Sequence, residues 1–184
     1  FDTMSPAERR RFLDNIAGDS ERLSQLVTRL LDLARADMAT PAPGVASDLA
    51  GPVRAAAASE GRDGFEVAVD LPESLPRVAA PAETVEKALV VLLQNARQAG
   101  AAHVRITARV AAGEVAMMVS DDGPGVAAAD RERMFEPFFT SRRAEGGAGL
   151  GLPIARSLVA ASHGRLDLVD SGQGAAFVLA FPAA

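Results

Sequence analysis

Apolar residues in the first forty positions recur at the spacing of one long amphipathic helix. Ser5, Pro6 and Glu8 form a helix-start signal, with a capping serine, a proline at the first helical position and an acid in the first turn. The apolar positions that follow advance in steps of three, four or seven: Phe12, Ile16, Leu23, Val27, Leu30 and Ala34. This pattern predicts a helix that ends near Met38. Because the stripe is broad, we expect it to pack on another helix of a bundle or on a dimer mate, and packing on its own domain is the alternative.

The period of the pattern changes after a proline-rich segment, Thr40 to Gly44, which is typical of a linker. We therefore predict a helical segment at 1–39, a linker at 40–46 and a domain at 47–184. Within the domain, helices are predicted at 48–59, 81–99, 130–135 and 152–162, and strands at 65–69, 103–110, 114–120, 165–169 and 175–181. The spacing of two strand pairs, 103–110 with 114–120 and 165–169 with 175–181, is typical of hairpins. The predicted fold class is α+β: an α/β sandwich with a mixed, mostly antiparallel sheet and helices on one face, preceded by one long α-helix.

Composition excludes several classes of function. Hydrophobic residues make up 48% and charged residues 23% of the 184 residues, which is ordinary for a globular chain. The net charge of -5 and the pI near 5.1 argue against a nucleic-acid partner. No cysteine is present and there are two histidines, which disfavours a structural zinc site. No apolar run approaches the roughly 20 residues that span a bilayer, so we expect no direct membrane contact. The opening residues Phe1 to Met4 resemble neither a start nor a signal peptide, and we expect a fragment of a longer protein.

Two glycine-rich stretches and one asparagine carry the chemistry of the chain. The first stretch is Asp121-Asp122-Gly123-Pro124-Gly125, the second is Gly147-Ala148-Gly149-Leu150-Gly151-Leu152, and Asn95 lies in an apolar, helix-like run. Glycines let backbone amides approach a base or phosphates closely. The second stretch leads into a predicted helix, whose N-terminal partial charge favours phosphate. Together these features predict a nucleotide pocket.

Each feature also has a structural interpretation. The first glycine stretch taken alone is equally typical of a tight turn after a strand, and an asparagine on an apolar helix is often a hydrogen-bonded core amide. We interpret Asp122 as a solvated or loop-capping acid.

Five segments, in this order, resemble the motifs of the sensor histidine kinases. Lys87 to Ala96 resembles their asparagine box, 121–125 their first glycine box and Phe135-Glu136-Pro137-Phe138-Phe139 their phenylalanine box. Residues 147–152 resemble the second glycine box, and 171–177 the terminal glycine-rich hairpin. The resemblance implies the ATP-binding catalytic domain shared with gyrase and heat-shock chaperone ATPases, which has a Bergerat-type α/β sandwich fold.

The resemblance implies a role for each motif, with ATP or ADP and Mg²⁺ as cofactors. Asp121 would accept a hydrogen bond from the adenine amino group, which selects ATP over GTP. Asn95 would give Mg²⁺ an amide oxygen, whereas Val91 stands where many members carry a second asparagine. The remaining ATP-binding residues implied are Gly123, Gly125, Arg142, Arg143, Gly147, Gly149, Leu150, Gly151 and Leu152.

The segment between the phenylalanine box and the second glycine box resembles a short lid. Either Arg142 or Arg143 would reach the terminal phosphate, and the alternative is a pair of solvated loop arginines. We expect Phe135, Phe138 and Phe139 to anchor the lid by packing rather than by touching the ligand.

Neither histidine is interpreted as a phosphoacceptor, because His103 opens a predicted strand and His163 follows a predicted helix. The first helix resembles the second helix of a dimerisation hairpin, so we expect the acceptor histidine on a preceding helix outside this chain, and little turnover from the chain alone. Implied partners are that missing helix, a homodimer mate through the N-terminal helix and the receiver domain of a response regulator. The resemblance implies the cytoplasmic portion of a membrane-bound sensor kinase. Alternatives are a degenerate kinase-like scaffold or phosphotransferase, another ATPase of the superfamily, or an anti-sigma serine kinase.

Overall fold

The computed structural model describes residues 5–38, 44–142 and 147–184. It begins with a long helix, α1, at Pro6–Met38. The backbone amide and the hydroxyl of Ser5 both donate to Glu8 Oε2 at 2.8 Å, and the amide of Glu8 donates to Ser5 Oγ at 3.3 Å. This reciprocal pair is a capping box. The hydrogen bond from the backbone amide of Ser5 is the main cause that lowers the pKa of Glu8 below its ordinary value, and the bond from the Ser5 hydroxyl is the next. The predicted helix start is therefore confirmed.

The domain that follows alternates helices with a five-stranded sheet. Its elements are α2 (Ala50–Glu60), β1 (Glu66–Asp70), α3 (Ala82–Gln98), β2 (His103–Ala111), β3 (Glu114–Asp121), a 3₁₀ turn (Ala128–Asp130), α4 (Gly151–Ala160), β4 (Arg165–Val169) and β5 (Ala176–Pro182). The strands lie in the order β1-β2-β3-β5-β4. β1 runs parallel to β2 and the other neighbours are antiparallel. The mixed, mostly antiparallel sheet of the prediction is confirmed.

The hydrophobic core lies between one face of this sheet and the helices α2, α3 and α4. Ile106, Val119 and Phe177 stand opposite one another on β2, β3 and β5, and all three are buried. They pack in one cluster with side chains of the helices, including Val53, Leu89 and Val159. Their strand neighbours point to the other side of the sheet, because side chains alternate along a strand; Arg105 and Met118 are exposed there. Helices on a single face were predicted, and this is confirmed.

The two ends of α3 coincide with a helix-start proline and a helix-stop glycine in the sequence. Pro81, in extended conformation, precedes the helix, and its carbonyl accepts from Thr84 and Val85. Gly100 follows the helix with φ at +87°, and the amide of Ala101 closes on the carbonyl of Ala96 at 3.1 Å. A proline start and a left-handed glycine stop are the signals that the sequence offers. They set the position of α3 relative to the sheet.

The predicted helix at 130–135 is wrong. The chain there makes the 3₁₀ turn and then a run of turns. Met134 donates to the carbonyl of Asp130, but Arg133 donates to Asp130 and Glu136 to Arg133 at the shorter i to i−3 spacing. Six residues are too few to offset the cost of helix nucleation. Pro137 also disfavours helical geometry at Glu136.

Helix α1 contacts α4 of its own chain, yet much of its apolar stripe stays in solvent. Leu13, Val27 and Leu31 are each about half exposed, at 51%, 50% and 51%. Packing on its own domain is thus present, and pairing with a further helix stays a prediction. The side chain of Leu23 and linker residues 40–43 lie outside the described part of the chain. Within that part, no helix combines the length and apolarity needed to cross a bilayer.

Gly164 joins α4 to β4 at a position without room for a side chain. A Cβ there would lie 2.6 Å from the carbonyl oxygen of Ala180, 2.8 Å from Val159 Cγ1 and 2.9 Å from Phe181 Cδ1. We expect Gly164→Ala to lower the free energy of unfolding by about 1–3 kcal/mol, because the added methyl overpacks this junction. Urea unfolding followed by far-UV circular dichroism measures the change.

Gly172→Ala is the matched control for this substitution. A Cβ at Gly172 would meet no atom within 4 Å, and the backbone there has no positive φ. We expect its unfolding midpoint to stay near that of the unsubstituted protein. Equal midpoints for the Gly164 and Gly172 variants would contradict the packing described here.

Candidate nucleotide-binding site

The predicted motifs converge on one cavity of about 1140 Å³. It lies between α3, the loop after β3 and the loop that leads into α4. The sequence-predicted site residues that line it are Asn95, Asp121, Gly125, Arg142, Gly147, Gly149, Gly151 and Leu152. Arg143 lies outside the described residues. Segments distant in sequence thus form a single site of the size that small-molecule ligands occupy.

Asp121 ends β3 with one carboxylate oxygen fixed and the other available. Its Oδ1 accepts the backbone amides of Gly123 at 2.9 Å and Ala175 at 3.1 Å. No described residue is hydrogen-bonded to its Oδ2. A carboxylate held in this way presents a hydrogen-bond acceptor to the cavity. Gly123 does not itself line the cavity, contrary to its predicted contact, because its amide is directed at Asp121.

The terminal hairpin supports Asp121 through backbone contact. Gly174 has φ at +68°, and a Cβ there would lie 1.7 Å from the carbonyl oxygen of Asp121. Gly125 has φ at +77°, and its Cβ would lie 2.8 Å from the carbonyl oxygen of Gly174. Only glycine fits two backbones at this separation and in this conformation. The first glycine stretch and the terminal hairpin therefore form one stacked unit.

Asn95 lies near the end of α3 and turns its amide toward the cavity. Its Nδ2 is buried and has no hydrogen-bond partner among the described residues. Gly151, at the start of α4, lies beside it, since a Cβ there would be 3.8 Å from both amide atoms of Asn95. An unpaired buried amide is costly. The alternative of a hydrogen-bonded core amide is therefore wrong for Nδ2, and the amide fits a polar ligand.

The second glycine stretch is held by the backbone of the phenylalanine box. Gly149 has φ at +66°, its carbonyl accepts the amide of Phe138 at 2.9 Å, and a Cβ would lie 2.4 Å from the carbonyl oxygen of Phe139. Leu150 departs from the prediction, since it is fully buried and does not line the cavity. Its carbonyl accepts the amide of Ile154 as α4 begins. Leu150 therefore anchors this loop in the core.

Arg142 brings a positive charge to the cavity. Its backbone amide donates to Thr140 Oγ1 at 3.1 Å, and its carbonyl accepts from Gly147 at 3.1 Å. Its Nη1 is buried without a partner in the described part of the chain. This burial disfavours the alternative of a solvated loop arginine for Arg142, whose contact with phosphate stays a prediction. A guanidinium N–H that lacks an acceptor fits an anionic ligand.

The three phenylalanines do not act alike. Phe135 packs against the core with the guanidinium of Arg156 at 4.6 Å from its ring centroid, so its packing role is confirmed. Phe139 lines the cavity, under the guanidinium of Arg133 at 4.5 Å. Phe138 is 52% exposed and has φ at +67°. The expectation of packing is therefore wrong for Phe138, and Phe139 also faces the ligand space.

Asp122 faces away from this arrangement and caps the start of β2. Its Oδ1 accepts the amides of Ala102 at 2.8 Å and His103 at 2.9 Å, and its Oδ2 lies 2.7 Å from His103 Nδ1. The backbone amide and then the ring of His103 lower the pKa of Asp122 to about 2. The hydrogen bond to Asp122 raises the pKa of His103. The loop-capping interpretation of Asp122 is confirmed.

Several polar residues of the cavity were missed from the sequence. Four of them line it from α3, namely Glu86, Lys87, Gln94 and Gln98, and Asp130, Thr140 and Ser141 line it from the loops. Lys87, Val91 and Asn95 are spaced four residues apart, which places them along one helix face. That spacing was a usable signal for Lys87. Its Nζ lies 2.7 Å from Glu83 Oε1, and this hydrogen bond lowers the pKa of Glu83.

The side chains around the cavity show which ligands a metal ion would find there. The described residues contain no group of three or more histidine, cysteine, aspartate or glutamate side chains placed to hold a metal ion. The amide oxygen of Asn95, water and oxygens of a bound ligand would supply one set of ligands for a divalent ion. Mg²⁺ accepts such a set, since it prefers oxygen and keeps several waters.

Comparison with known proteins establishes the family. Residues 81–184, more than half of the chain, match the family described as histidine kinase-, DNA gyrase B-, and HSP90-like ATPase. The chain therefore belongs to this family, and its ATP-binding domain is of the sensor histidine kinase type. The α+β fold predicted from the sequence agrees with this assignment.

The relatives are sensor kinases longer than this chain. SenX3 of Mycobacterium tuberculosis (strain H37Rv), a sensor-like histidine kinase, is 32% identical over 187 residues, covering 95% of this chain and 45% of SenX3. The C4-dicarboxylate transport sensor protein DctB of Rhizobium meliloti is 37% identical over 119 residues, covering 61% of this chain and 18% of DctB. The chain thus spans less than half the length of these relatives.

Solved structures extend the likeness to the whole chain. Full-length ShkA in complex with AMPPNP aligns with a TM-score of 0.74 and 30% identity, covering 100% of this chain and 41% of ShkA. The histidine kinase AdeS of Acinetobacter baumannii aligns with a TM-score of 0.69 and 20% identity, covering 98% and 86%. The second likeness shows the fold alone.

The Asp122–His103 pair predicts a specific titration. We expect Asp122→Asn to lower the pKa of His103 toward its ordinary value, because the main cause of its elevation is the bond to the carboxylate. NMR titration of the imidazole protons measures this, and His163, which does not contact Asp122, supplies the internal reference. An unchanged pKa of His103 would contradict the pairing.

The same pair predicts where pH affects folding. The contribution from Asp122 is present above its ordinary pKa of 3.8 and is lost as the pH falls toward about 2. The contribution from His103 is present below 6.5 and is lost as the pH rises through its raised pKa. In the unfolding midpoint of the Asp122→Asn variant, the contribution from Asp122 should be absent and that from His103 should be smaller, because Glu66 also raises the pKa of His103.

Proposed function

We propose that the cavity binds Mg-ATP and that the chain is the catalytic part of a sensor histidine kinase. The observation that carries the proposal is the set of unpaired polar atoms around one cavity, namely Asp121 Oδ2, Asn95 Nδ2 and Arg142 Nη1, none of which has a partner in the described part of the chain. Two of these atoms, Asn95 Nδ2 and Arg142 Nη1, are buried, and a buried polar atom without a partner is costly in a folded protein. A ligand with an amino group at one end and a triphosphate at the other supplies partners for all three.

The positions of these groups set the orientation in which the nucleotide would bind. Asp121 Oδ2 accepts the adenine amino group, in the pocket shaped by Gly125 and Ala175. The triphosphate extends toward the loop of Gly147 and Gly149, whose position before α4 favours negative charge. Arg142 adds a cation to this end of the site. Adenine selection and phosphate binding are thus assigned to opposite ends of the cavity.

Asn95 is the residue proposed to hold magnesium. The buried amide can present Oδ1 or Nδ2 by rotation, because the two ends have nearly the same shape. When bound, the ion neutralises charge on the phosphates. The protein's part is positioning: Asn95, Arg142 and the glycine loop hold the terminal phosphate in line for an incoming nucleophile.

The remaining expectations concern the larger protein, and we propose them on the same basis. Residues 1–39 would be the second helix of a dimerisation hairpin, 40–46 a linker and 47–184 the catalytic domain. The exposed apolar residues of α1 support pairing with the first helix of that hairpin and with a homodimer mate. The phosphoacceptor would be a histidine on that first helix, for relay to an aspartate of a response-regulator receiver domain in the cytoplasm.

ATP titration tests the magnesium role of Asn95. By calorimetry, we expect ATP to bind more tightly with Mg²⁺ than with EDTA, and Asn95→Ala to abolish most of this difference, on the order of tenfold or more. Asn15→Ala is the matched control, since it removes the other asparagine of the chain from the exposed surface of α1. Absence of any heat from Mg-ATP in well-folded protein would sink the proposal.

Phosphate transfer tests the kinase role. With [γ-³²P]ATP and Mg²⁺, we expect this chain alone to stay unlabelled, because neither histidine lies on a dimerisation helix: His103 begins β2 and is bonded to Asp122, and His163 follows α4. A longer chain with a histidine-bearing helix ahead of α1 should gain an acid-labile label. An acid-stable label would instead indicate a hydroxyl acceptor and favour a serine kinase.

A further inference from the structure

The carboxylate of Glu60 is buried at the end of α2, away from the cavity lining. Glu60 is 6% exposed and, with Ser162, is one of two polar or charged residues buried to this degree in the described part of the chain. Burial of a carboxylate is costly unless it is paired. Its partners therefore show where this free energy is recovered.

Two of the partners lie on α3. Gln94 Nε2 donates to Glu60 Oε1 at 2.9 Å, and Arg97 Nη2 lies 3.4 Å from Glu60 Oε2. The third partner, Arg62, lies in the turn after α2, with Nη2 3.6 Å from Oε2 and Nε donating to the carbonyl of Glu60 at 3.3 Å. One carboxylate thus joins the end of α2 to a single turn of α3.

That turn of α3 is the one that carries Asn95. Gln94 and Arg97 are three residues apart and therefore lie on the same face of the helix. Asn95 follows Gln94 directly, so its side chain emerges about a quarter-turn further around the axis. Gln94 also lines the cavity. A contact that fixes the rotation of Gln94 and Arg97 fixes the direction of Asn95 as well.

The rest of the contact between α2 and α3 is apolar, through residues such as Val53, Leu89 and Leu93. Hydrophobic contact is not directional. Hydrogen bonds and ion pairs are directional, and they weaken steeply when donor and acceptor are misaligned. The bonds of Glu60 therefore add a directional constraint on the rotation of α3 to the constraint that its close-packed apolar face provides.

We infer that Glu60 is a positioning residue that sets the orientation of the Asn95 amide in the cavity. The inference rests on the proposed function of Asn95 as a ligand of Mg-ATP. Glu60 acts through Gln94 and Arg97 and touches no ligand. Its loss should therefore weaken the magnesium-dependent part of ATP binding, while the contacts of Asp121 with adenine remain.

The test compares Glu60→Gln with the unsubstituted protein in ATP titrations with Mg²⁺ and with EDTA. We expect a loss of affinity of about tenfold with Mg²⁺, and no comparable loss with EDTA. In an Asn95→Ala background, Glu60→Gln should cause no further loss with Mg²⁺. Glu114→Gln is the matched control, because it breaks an ion pair with Arg165 at the other end of the sheet. Full magnesium enhancement in the Glu60→Gln variant would overturn the inference.

A spectroscopic measurement tests the orientation without nucleotide. Asn15 and Asn95 are the two asparagines of the chain, so selective ¹⁵N labelling gives two side-chain amide signals. We expect Glu60→Gln to shift the signal of Asn95 and to leave that of Asn15 in place. Unchanged signals for both would overturn the inference. If Glu60→Gln fails to fold, Arg97→Lys, which keeps the charge and loses the planar guanidinium, replaces it with the same expectation.

The outcomes separate the two proposals. If the unsubstituted protein shows no magnesium enhancement of ATP binding, the proposed function fails, whereas the asparagine signals still report on the contacts of Glu60 with α3. If enhancement is present and is lost in Asn95→Ala but kept in Glu60→Gln, the proposed function stands and the role of Glu60 is overturned.

Discussion

The site depends on the way in which the carboxylate of Asp121 is held. One oxygen accepts two backbone amides, one from its own loop and one from the terminal hairpin, so the side chain cannot turn without breaking both bonds. The hairpin can approach closely enough to donate the second bond because Gly174, which has no side chain, lies against the carbonyl of Asp121. The second oxygen has no hydrogen-bond partner among the described residues, and in the proposed function it is the acceptor for the adenine amino group.

The other end of the cavity depends on α3, which both packs in the core and lines the cavity. One face carries apolar residues into the core, including Leu89 and Leu93, and the adjoining face carries Asn95 and Lys87 into the cavity. The packed apolar face fixes the position of the helix in the core, and directional bonds add a further constraint on the orientation of the second face. The buried bonds of Glu60 to Gln94 and Arg97 join the packing of the domain to the chemistry of the site.

Sequence predicted most of the elements and the main site residues, because their signals are local. Periodicity located the helices and strands, and proline and glycine marked the ends of α3. The errors arise where tertiary contact decides. The 130–135 segment is too short to form the predicted helix, Leu150 turns into the core and Gly123 acts on Asp121. The partners of Glu60 could not be predicted, since Gln94 and Arg97 lie more than thirty residues away along the chain.

The most direct measurement of the central claim compares ATP with inosine triphosphate, which carries a carbonyl in place of the adenine amino group, by calorimetry with Mg²⁺ present. The phosphates and the ion are the same in both ligands, so the difference in affinity reports contacts with one edge of the base, where inosine has a carbonyl and a protonated N1 in place of the amino group and the unprotonated N1 of adenine. A fixed acceptor at Asp121 Oδ2 predicts that inosine triphosphate binds at least about tenfold more weakly, since a buried acceptor then loses its donor. Equal affinities would contradict the account.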